Sequence, residues 1–195
     1  MSQIEIDALR EIDPLIVVDL EATCSDDNSI PPGKTETIEI GAVVVDVRRF
    51  AIAAEFQSFV QPVRNPKLSE FCTNLTGITQ DMLHGAPAFT DAFAALTDWI
   101  DEQAPKSVFC SWGAYDRRQF EQDCRLHGAG YAMPPHANLK ALFAIRQSSK
   151  KRFGMAKALE LCGMPLLGQH HRALDDARNI AALLPWIVGE QRLKL

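Results

Sequence analysis

Hydrophobic positions near the start of the chain follow the pattern of buried strands. Residues 15–18 are all apolar and lead into Asp19-Leu20-Glu21, and the segments 36–46 and 52–60 are apolar with loose alternation. Unbroken apolar runs are typical of strands buried on both faces, and alternation is typical of strands with one exposed face. These segments predict three strands, the second and third antiparallel with a turn near Arg48 and Arg49.

Later in the chain the apolar positions change to a helical spacing. Residues 89–103 carry five large apolar side chains on one face, and residues 107–110 then predict a short buried strand. Gly77 favours a tight turn, Thr79 is a candidate cap for a short helix, and Gly128 favours a helix end. Further helices are predicted at 115–127, 139–147, 154–162 and 174–188, the last interrupted near Pro185. This order predicts one α/β domain with a mixed sheet over residues 1–195.

Composition narrows the class of protein. The 195 residues are 47% hydrophobic and 23% charged, as expected for an ordinary globular chain. The five scattered cysteines argue against a disulfide framework or a zinc ribbon. Residues 1–14 lack the layout of a signal peptide, and no apolar run is long enough to span a bilayer. We therefore expect a cytoplasmic protein with no membrane partner.

Net charge alone disfavours a nucleic-acid partner, but the charges are unevenly distributed. The formal net charge is −5, yet residues 140–157 contain no acid. Such a basic segment suits a phosphate backbone, although a solvated surface is the alternative. Its six cations are Lys140, Arg146, Lys150, Lys151, Arg152 and Lys157.

Two carboxylates lie at the end of the first predicted strand. Side chains alternate along a strand, so Asp19 and Glu21 project from the same face while Leu20 projects from the other. Ligands of α/β sheets collect at the carboxyl ends of parallel strands, which is where this pair lies. The simpler interpretation is a strand that ends in water with two hydrated charges.

Further candidate residues follow in two later segments. Asp116 lies in the first turn of a predicted helix, just after the strand at 107–110. His171 precedes a helix whose first turn holds Asp175 and Asp176, and His171 to Asp176 has the spacing His-x4-Asp. Acids in a first helical turn are also favoured by the helix dipole, and loop histidines often lie on the surface.

Four carboxylates from three segments need cations if they are to converge. Oxygen ligands select Mg²⁺ or Mn²⁺, and two such ions about 3.5–4 Å apart suit phosphoryl transfer. His171 supplies a group that titrates near neutral pH and can take a proton from an attacking water. The predicted reaction is hydrolysis of a phosphodiester.

The order Asp19-x-Glu21, Asp116 and His171-x4-Asp176 resembles the DEDDh branch of the DnaQ-like 3′–5′ exonucleases. Three segments narrow the likeness to the Eri-like group, which includes bacterial KapD-type proteins: residues 19–24, residues 71–79 and residues 171–180. The resemblance covers about residues 13–188. It implies an RNase H-like exonuclease fold, with a central mixed five-stranded sheet flanked by helices.

The resemblance also implies roles for individual residues. Asp19 would contact both metal ions, Glu21 and Asp176 would complete the site beside the nucleophilic water, and Asp116 would support the second ion. His171 would be the general base and contact the substrate. The motif selects Asp176 over Asp175, and it leaves His170 without a role.

Substrate contacts follow from the same resemblance. The terminal nucleotide would lie against the backbone of Leu20, Ala22 and Thr23, with Gly77 and Ile78 near its base or sugar. Phe71 and Tyr115 are candidates for stacking on a base, with a core position as the alternative. Tyr115 stands where Eri-like relatives often have Trp.

The leading hypothesis is a metal-dependent 3′–5′ exonuclease that uses two Mg²⁺ or Mn²⁺ ions. It would act on 3′ ends of single-stranded nucleic acid, RNA rather than DNA, and release nucleoside 5′-monophosphates. Three alternatives are a DNA-directed exonuclease of the repair or proofreading type, a non-catalytic nucleic-acid-binding module and an RNase H-type endonuclease.

Overall fold

Five strands form one mixed sheet at the centre of the computed structural model, which describes residues 3–193. The strands are β1 Leu15–Ala22, β2 Thr37–Asp46, β3 Ala51–Phe59, β4 Phe109–Ser111 and β5 His136–Asn138. Their order in the sheet is β3-β2-β1-β4-β5. The pairs β1–β2 and β2–β3 are antiparallel, and the pairs β1–β4 and β4–β5 are parallel. Both ends of the predicted 1–195 domain, residues 1–2 and 194–195, lie outside the described residues.

Helices cover both faces of the sheet, so the predicted α/β fold with a mixed five-stranded sheet is confirmed. They are α1 Gln3–Arg10, α2 Glu70–Thr76, α3 Gln80–Leu83, α4 Phe89–Gln103, α5 Tyr115–His127, α6 Leu139–Arg146, α7 Met155–Leu161 and α8 Ala173–Ala182. Within residues 3–193, no helix combines the length and apolar character needed to cross a bilayer.

The alternation of β1 divides the core into two layers. Leu15 and Val17 pack with residues of α6, α7 and α8, whereas Ile16, Val18 and Leu20 pack with residues of α4 and α5. Because both faces are covered, the strand is apolar throughout its first four positions. The odd-numbered face therefore continues toward α8 at the point where the acids begin.

Helix ends follow the predicted local chemistry in most places. Gly128 takes a left-handed conformation at the end of α5, and the Thr79 side chain accepts a hydrogen bond from the Met82 amide. The last predicted helix is shorter than expected. α8 ends at Ala182, and a 3-10 turn, Leu184–Trp186, follows it because Pro185 has no amide hydrogen to continue the α-helical pattern.

A glycine permits the start of α8 to lie directly on β2. A side chain at Gly41 would place its Cβ 2.2 Å from the Leu174 amide nitrogen and 2.2 Å from the Ala173 carbonyl carbon. Gly41 pairs with Asp19 across the two strands. The close approach therefore brings the first turn of α8 beside the acidic end of β1.

Candidate active site

A cleft of about 400 Å³ opens at the carboxyl end of β1. Asp19 and Glu21 continue the face of Leu15 and Val17, as the alternation of a strand predicts, and both line the cleft. Segments that are far apart in sequence supply the rest of its lining. The lining residues are Asp19, Leu20, Glu21, Ala22, Cys24, Leu75, Trp112, Tyr115, Asp116, Gly154, Met155, His170, His171 and Asp176.

Asp116 is held at the cleft by the end of a short strand. β4 stops at Ser111, so the Leu20 amide of β1 extends past the last β4 pairing and donates instead to Asp116 Oδ1 at 3.2 Å. The Leu20 amide, which has no partner on β4, thus holds the Asp116 carboxylate beside Asp19 and Glu21 of β1.

Two adjacent histidines contact the Asp176 carboxylate in different ways. The His171 backbone amide donates to Asp176 Oδ2 at 3.0 Å, and His170 Nδ1 lies 2.9 Å from the same oxygen. The two imidazole rings are stacked with their centroids 3.9 Å apart. His171 has a φ of 64°, a left-handed conformation that points its amide at Asp176 and leaves its ring in the cleft.

Asp175 faces away from the cleft. Its carboxylate accepts from the Gln169 amide at 2.9 Å and from Arg178 Nη1 at 3.0 Å. It therefore orders the loop before α8, while Asp176 faces the other acids. The acid that lines the cleft is therefore Asp176, which is also the acid that the His-x4-Asp motif includes.

A buried ion pair fixes the first turn of α8 on the sheet. Glu39 of β2 is fully buried and accepts from Arg172 at 2.9 and 3.0 Å and from the Ala173 amide at 3.0 Å. Glu39 also pairs with Glu21 in the strand register. This ion pair is not predicted from the sequence, although the position of Glu39 inside the apolar run of β2 indicates a buried acid that needs a partner.

The carboxylates of the cleft carry raised pKa values. Burial, reinforced by neighbouring acids, raises the pKa of Asp19 well above its usual range and that of Glu21 to about 8. Burial raises the pKa of Asp116 to about 6, against hydrogen bonds that lower it, and it also raises the pKa of Asp176. Each shift reflects a negative charge that lacks compensation.

The donor set fits a hard divalent cation. Ligand oxygens of Asp19, Glu21 and Asp176 lie within 4.8 Å of one another. Among the side chains of residues 7–193, no lysine or arginine forms an ion pair with these three acids or with Asp116. Oxygen ligands with unbalanced negative charge are the type of site that binds Mg²⁺ or Mn²⁺.

Comparison with known proteins agrees with this geometry. The model of the Exonuclease family (RNase_T) matches residues 16–184. The chain belongs to this exonuclease family. It is 33% identical to human 3′-5′ exoribonuclease 1 over 183 residues, and the match covers 88% of this chain and 51% of that relative. The chain therefore spans about half the length of that protein.

Solved structures place the chain in the DEDDh, Eri-like branch of the exonuclease family, with its RNase H-like fold. One is the nuclease domain of 3′hExo, described as a DEDDh family member bound to rAMP; it has a TM-score of 0.75, 29% identity, and coverage of 88% of this chain and 89% of that one. Another, described as a 3′-exonuclease recognising histone mRNA stem-loop, has a TM-score of 0.84, 27% identity, and coverage of 91% and 64%.

The structure divides the substrate residues expected of an exonuclease into two groups. Leu20, Ala22 and Tyr115 line the cleft, and the Tyr115 side chain is 45% exposed. The other four lie outside its lining: Thr23 and Ile78 are fully buried, Gly77 caps α2, and Phe71 faces a neighbouring hollow. The Leu20 and Thr23 amides already donate within the protein, to Asp116 and to the Glu36 carbonyl.

Several cleft residues have no role assigned from the sequence. Leu75 of α2 and Trp112 line opposite sides of β1, and Gly154 and Met155 come from the start of α7. His170, which had no predicted role, contacts Asp176 directly. These positions arise from packing between remote segments, so no local spacing in this chain predicts them.

Proposed function

We propose that this protein is a divalent-metal-dependent 3′–5′ exonuclease that shortens single-stranded RNA and releases nucleoside 5′-monophosphates. The observation that carries the proposal is the meeting of Asp19, Glu21, Asp116, Asp176 and His171 in one cleft. The activity named for the exoribonuclease relatives supports the direction of digestion and RNA as substrate. We take the whole chain as one exonuclease domain.

In this proposal the four carboxylates would hold two Mg²⁺ or Mn²⁺ ions, and Asp19 would be a ligand shared by both. Glu21 and Asp176 would complete the site beside the attacking water, and Asp116 would support the second ion. When bound, the ions supply stabilisation of the charge that develops on the attacking and leaving oxygens. The His171 amide and the His170 ring hold the Asp176 carboxylate in one orientation for this task.

His171 is the proposed general base. Burial and the neighbouring His170 lower the pKa of His171 below its usual range, against an opposing effect of Asp176. Its ring is therefore uncharged near neutral pH and can accept a proton from water. Tyr115 presents its ring at the cleft, where a terminal base can stack on it.

We also propose a cytoplasmic location. All five cysteines, which lie between residues 24 and 162, are free thiols, and free thiols persist in a reducing compartment.

The central experiment uses RNA and DNA oligomers of one sequence, labelled at the 5′ end, with Mg²⁺ or Mn²⁺. We expect a descending ladder that is faster on RNA, and a loss of at least about 100-fold in Asp19→Asn and His171→Ala. Wild-type activity in either variant would reject the assigned roles. Immediate release of one labelled nucleotide would indicate the opposite polarity, and cleavage of a circular substrate would indicate an endonuclease.

The neighbouring acids provide a matched control. Asp176→Asn removes a carboxylate from the cleft, and we expect it to lose at least about 100-fold in rate. Asp175→Asn removes the same charge one residue away, from a carboxylate that contacts Gln169 and Arg178. We expect a loss below about tenfold, and equal losses in the two variants would contradict the assignment.

A further inference from the structure

The structure divides the six cations of residues 140–157 into two groups. Arg146 lies 3.4 Å from Glu190 and Lys157 lies 2.5 Å from Glu160, so both are paired. The other four form no ion pair and no side-chain hydrogen bond among residues 7–193, the part of the chain whose side chains are described. These unpaired cations are Lys140, Lys150, Lys151 and Arg152, and the last three are exposed.

The loop that carries three of these cations is fixed at both ends. We call residues 147–154, between α6 and α7, the basic loop. At its start the buried Gln147 side chain donates to the Trp186 carbonyl at 2.6 Å. At its end the Trp112 indole N–H donates to the Phe153 carbonyl at 3.0 Å. Since Trp112 lines the cleft, this bond fixes the loop relative to the candidate active site.

The basic residues are close in sequence to a residue that lines the cleft. Gly154 lines the cleft, Arg152 is two residues before it and Lys150 is four residues before it. Even fully extended, these segments span only about 7 and 14 Å. Lys140 lies in the first turn of α6, directly after β5, whose carboxyl end is at the same sheet edge as that of β1.

The opposite side of the cleft has the opposite charge. Cys24 and Leu75 line that side, and α2, which carries Leu75, packs on β2 through Cys72 and Ile38. The adjacent hollow is lined by three exposed acids, Asp26, Asp27 and Glu70. A phosphate backbone leaving the cleft is therefore repelled on the β2 side and attracted on the β4 side.

We propose that Lys140, Lys150, Lys151 and Arg152 form a binding site for the phosphodiester backbone of the strand whose 3′ end occupies the cleft. The site rests on the proposed function and extends it, because it makes the protein selective for oligomers over very short substrates. Three unpaired cations on a fixed loop, with Lys140 in the first turn of α6, displace counterions from the nucleic acid when they contact its phosphates, and this gives affinity that is independent of base sequence.

The test measures binding and turnover separately. A triple variant, Lys150→Gln with Lys151→Gln and Arg152→Gln, is compared with Arg48→Gln, Arg49→Gln and Lys106→Gln together. The control loses the same charge at exposed positions at the other end of the sheet, in the β2–β3 turn and just before β4. Binding of a 5′-labelled RNA of about 20 nucleotides is followed by fluorescence anisotropy in EDTA, over a range of salt concentrations.

We expect the triple variant to raise Kd about tenfold or more and to reduce the slope of log Kd against log salt by about 2, because each lost phosphate contact removes about 0.7. With Mg²⁺ or Mn²⁺, its loss in kcat/KM should grow with oligomer length and be smallest for a dinucleotide. A wild-type slope, or the same change in the control, would overturn the proposal. If the triple variant changes binding as expected but the wild type hydrolyses no oligomer, the result would contradict the proposed function and leave the binding site in place.

Discussion

At His171 the backbone and the side chain make separate contributions. The left-handed φ of 64° lets the amide donate to Asp176, while the ring lies in the cleft. For a residue other than glycine this conformation costs about 1–2 kcal/mol. The position therefore sacrifices stability to hold a carboxylate and to present an imidazole.

This separation predicts that two substitutions of His171 differ in stability but not in activity. His171→Gly relieves the backbone cost and His171→Ala does not, although both remove the ring. We expect the glycine variant to have a free energy of unfolding about 1 kcal/mol higher than the alanine variant, measured by urea denaturation. Hydrolysis should be lost equally in both, and equal stabilities would show that the strained conformation is absent.

At the scale of elements, the position of α8 on the sheet decides where Asp176 lies. Gly41 allows the contact, and Glu39 secures it through Arg172 and the Ala173 amide. A second ion pair, Arg178 with Glu55, joins α8 to β3, but its side chains are 41% and 37% exposed. The two pairs have the same chemistry, and they differ in that the Arg172–Glu39 pair is largely buried.

We expect Glu39→Gln to lower the free energy of unfolding by about 3–5 kcal/mol, because it leaves the Arg172 charge largely buried without its partner. Glu55→Gln is the matched control and should cost less than about 1 kcal/mol. Urea denaturation of both variants measures the difference. Similar costs would mean that Glu39 does not anchor the helix.

The elements also show which features the sequence can predict. Strand parity placed Asp19 and Glu21 on one face, and the helix positions brought Asp116 and Asp176 to the same sheet edge. β5 has three residues, too few for a periodic pattern, and it exists because β4 offers hydrogen bonds to its edge. Glu39 finds its partner 133 residues away, a distance that no local pattern encodes.

At the scale of the whole molecule, the acidic cleft opposes folding when no cation is bound. Glu21 has a folded pKa of about 8 and Asp116 of about 6, both above their usual values. A raised folded pKa gives stability that is present below the unfolded pKa and is lost as the pH rises through the folded pKa. The metal-free protein should therefore lose stability as the pH rises from about 4, the ordinary range of these carboxyl groups, to about 8, the folded pKa of Glu21.

Thermal unfolding in EDTA across this pH range tests the prediction, with Glu21→Gln expected to flatten the profile. Adding Mn²⁺ at about 100 times its Kd should stabilise the wild type by about 2.7 kcal/mol, since the ion binds only the folded state. Asp19→Asn should lose most of this gain. A wild-type profile that rises with pH in EDTA would contradict the raised pKa values.

The pairing of β1 with β2 has a consequence for folding. Asp19 is opposite Gly41 and Glu21 is opposite Glu39. If β1 slipped by a single residue along its neighbour, both acids would turn toward the phenylalanines of α4 and α5, and Leu20 would turn toward the cleft. Burying an unpaired carboxylate there costs several kcal/mol. Asp19 and Glu21, the two acids proposed as metal ligands, thus also disfavour a shifted register between β1 and β2.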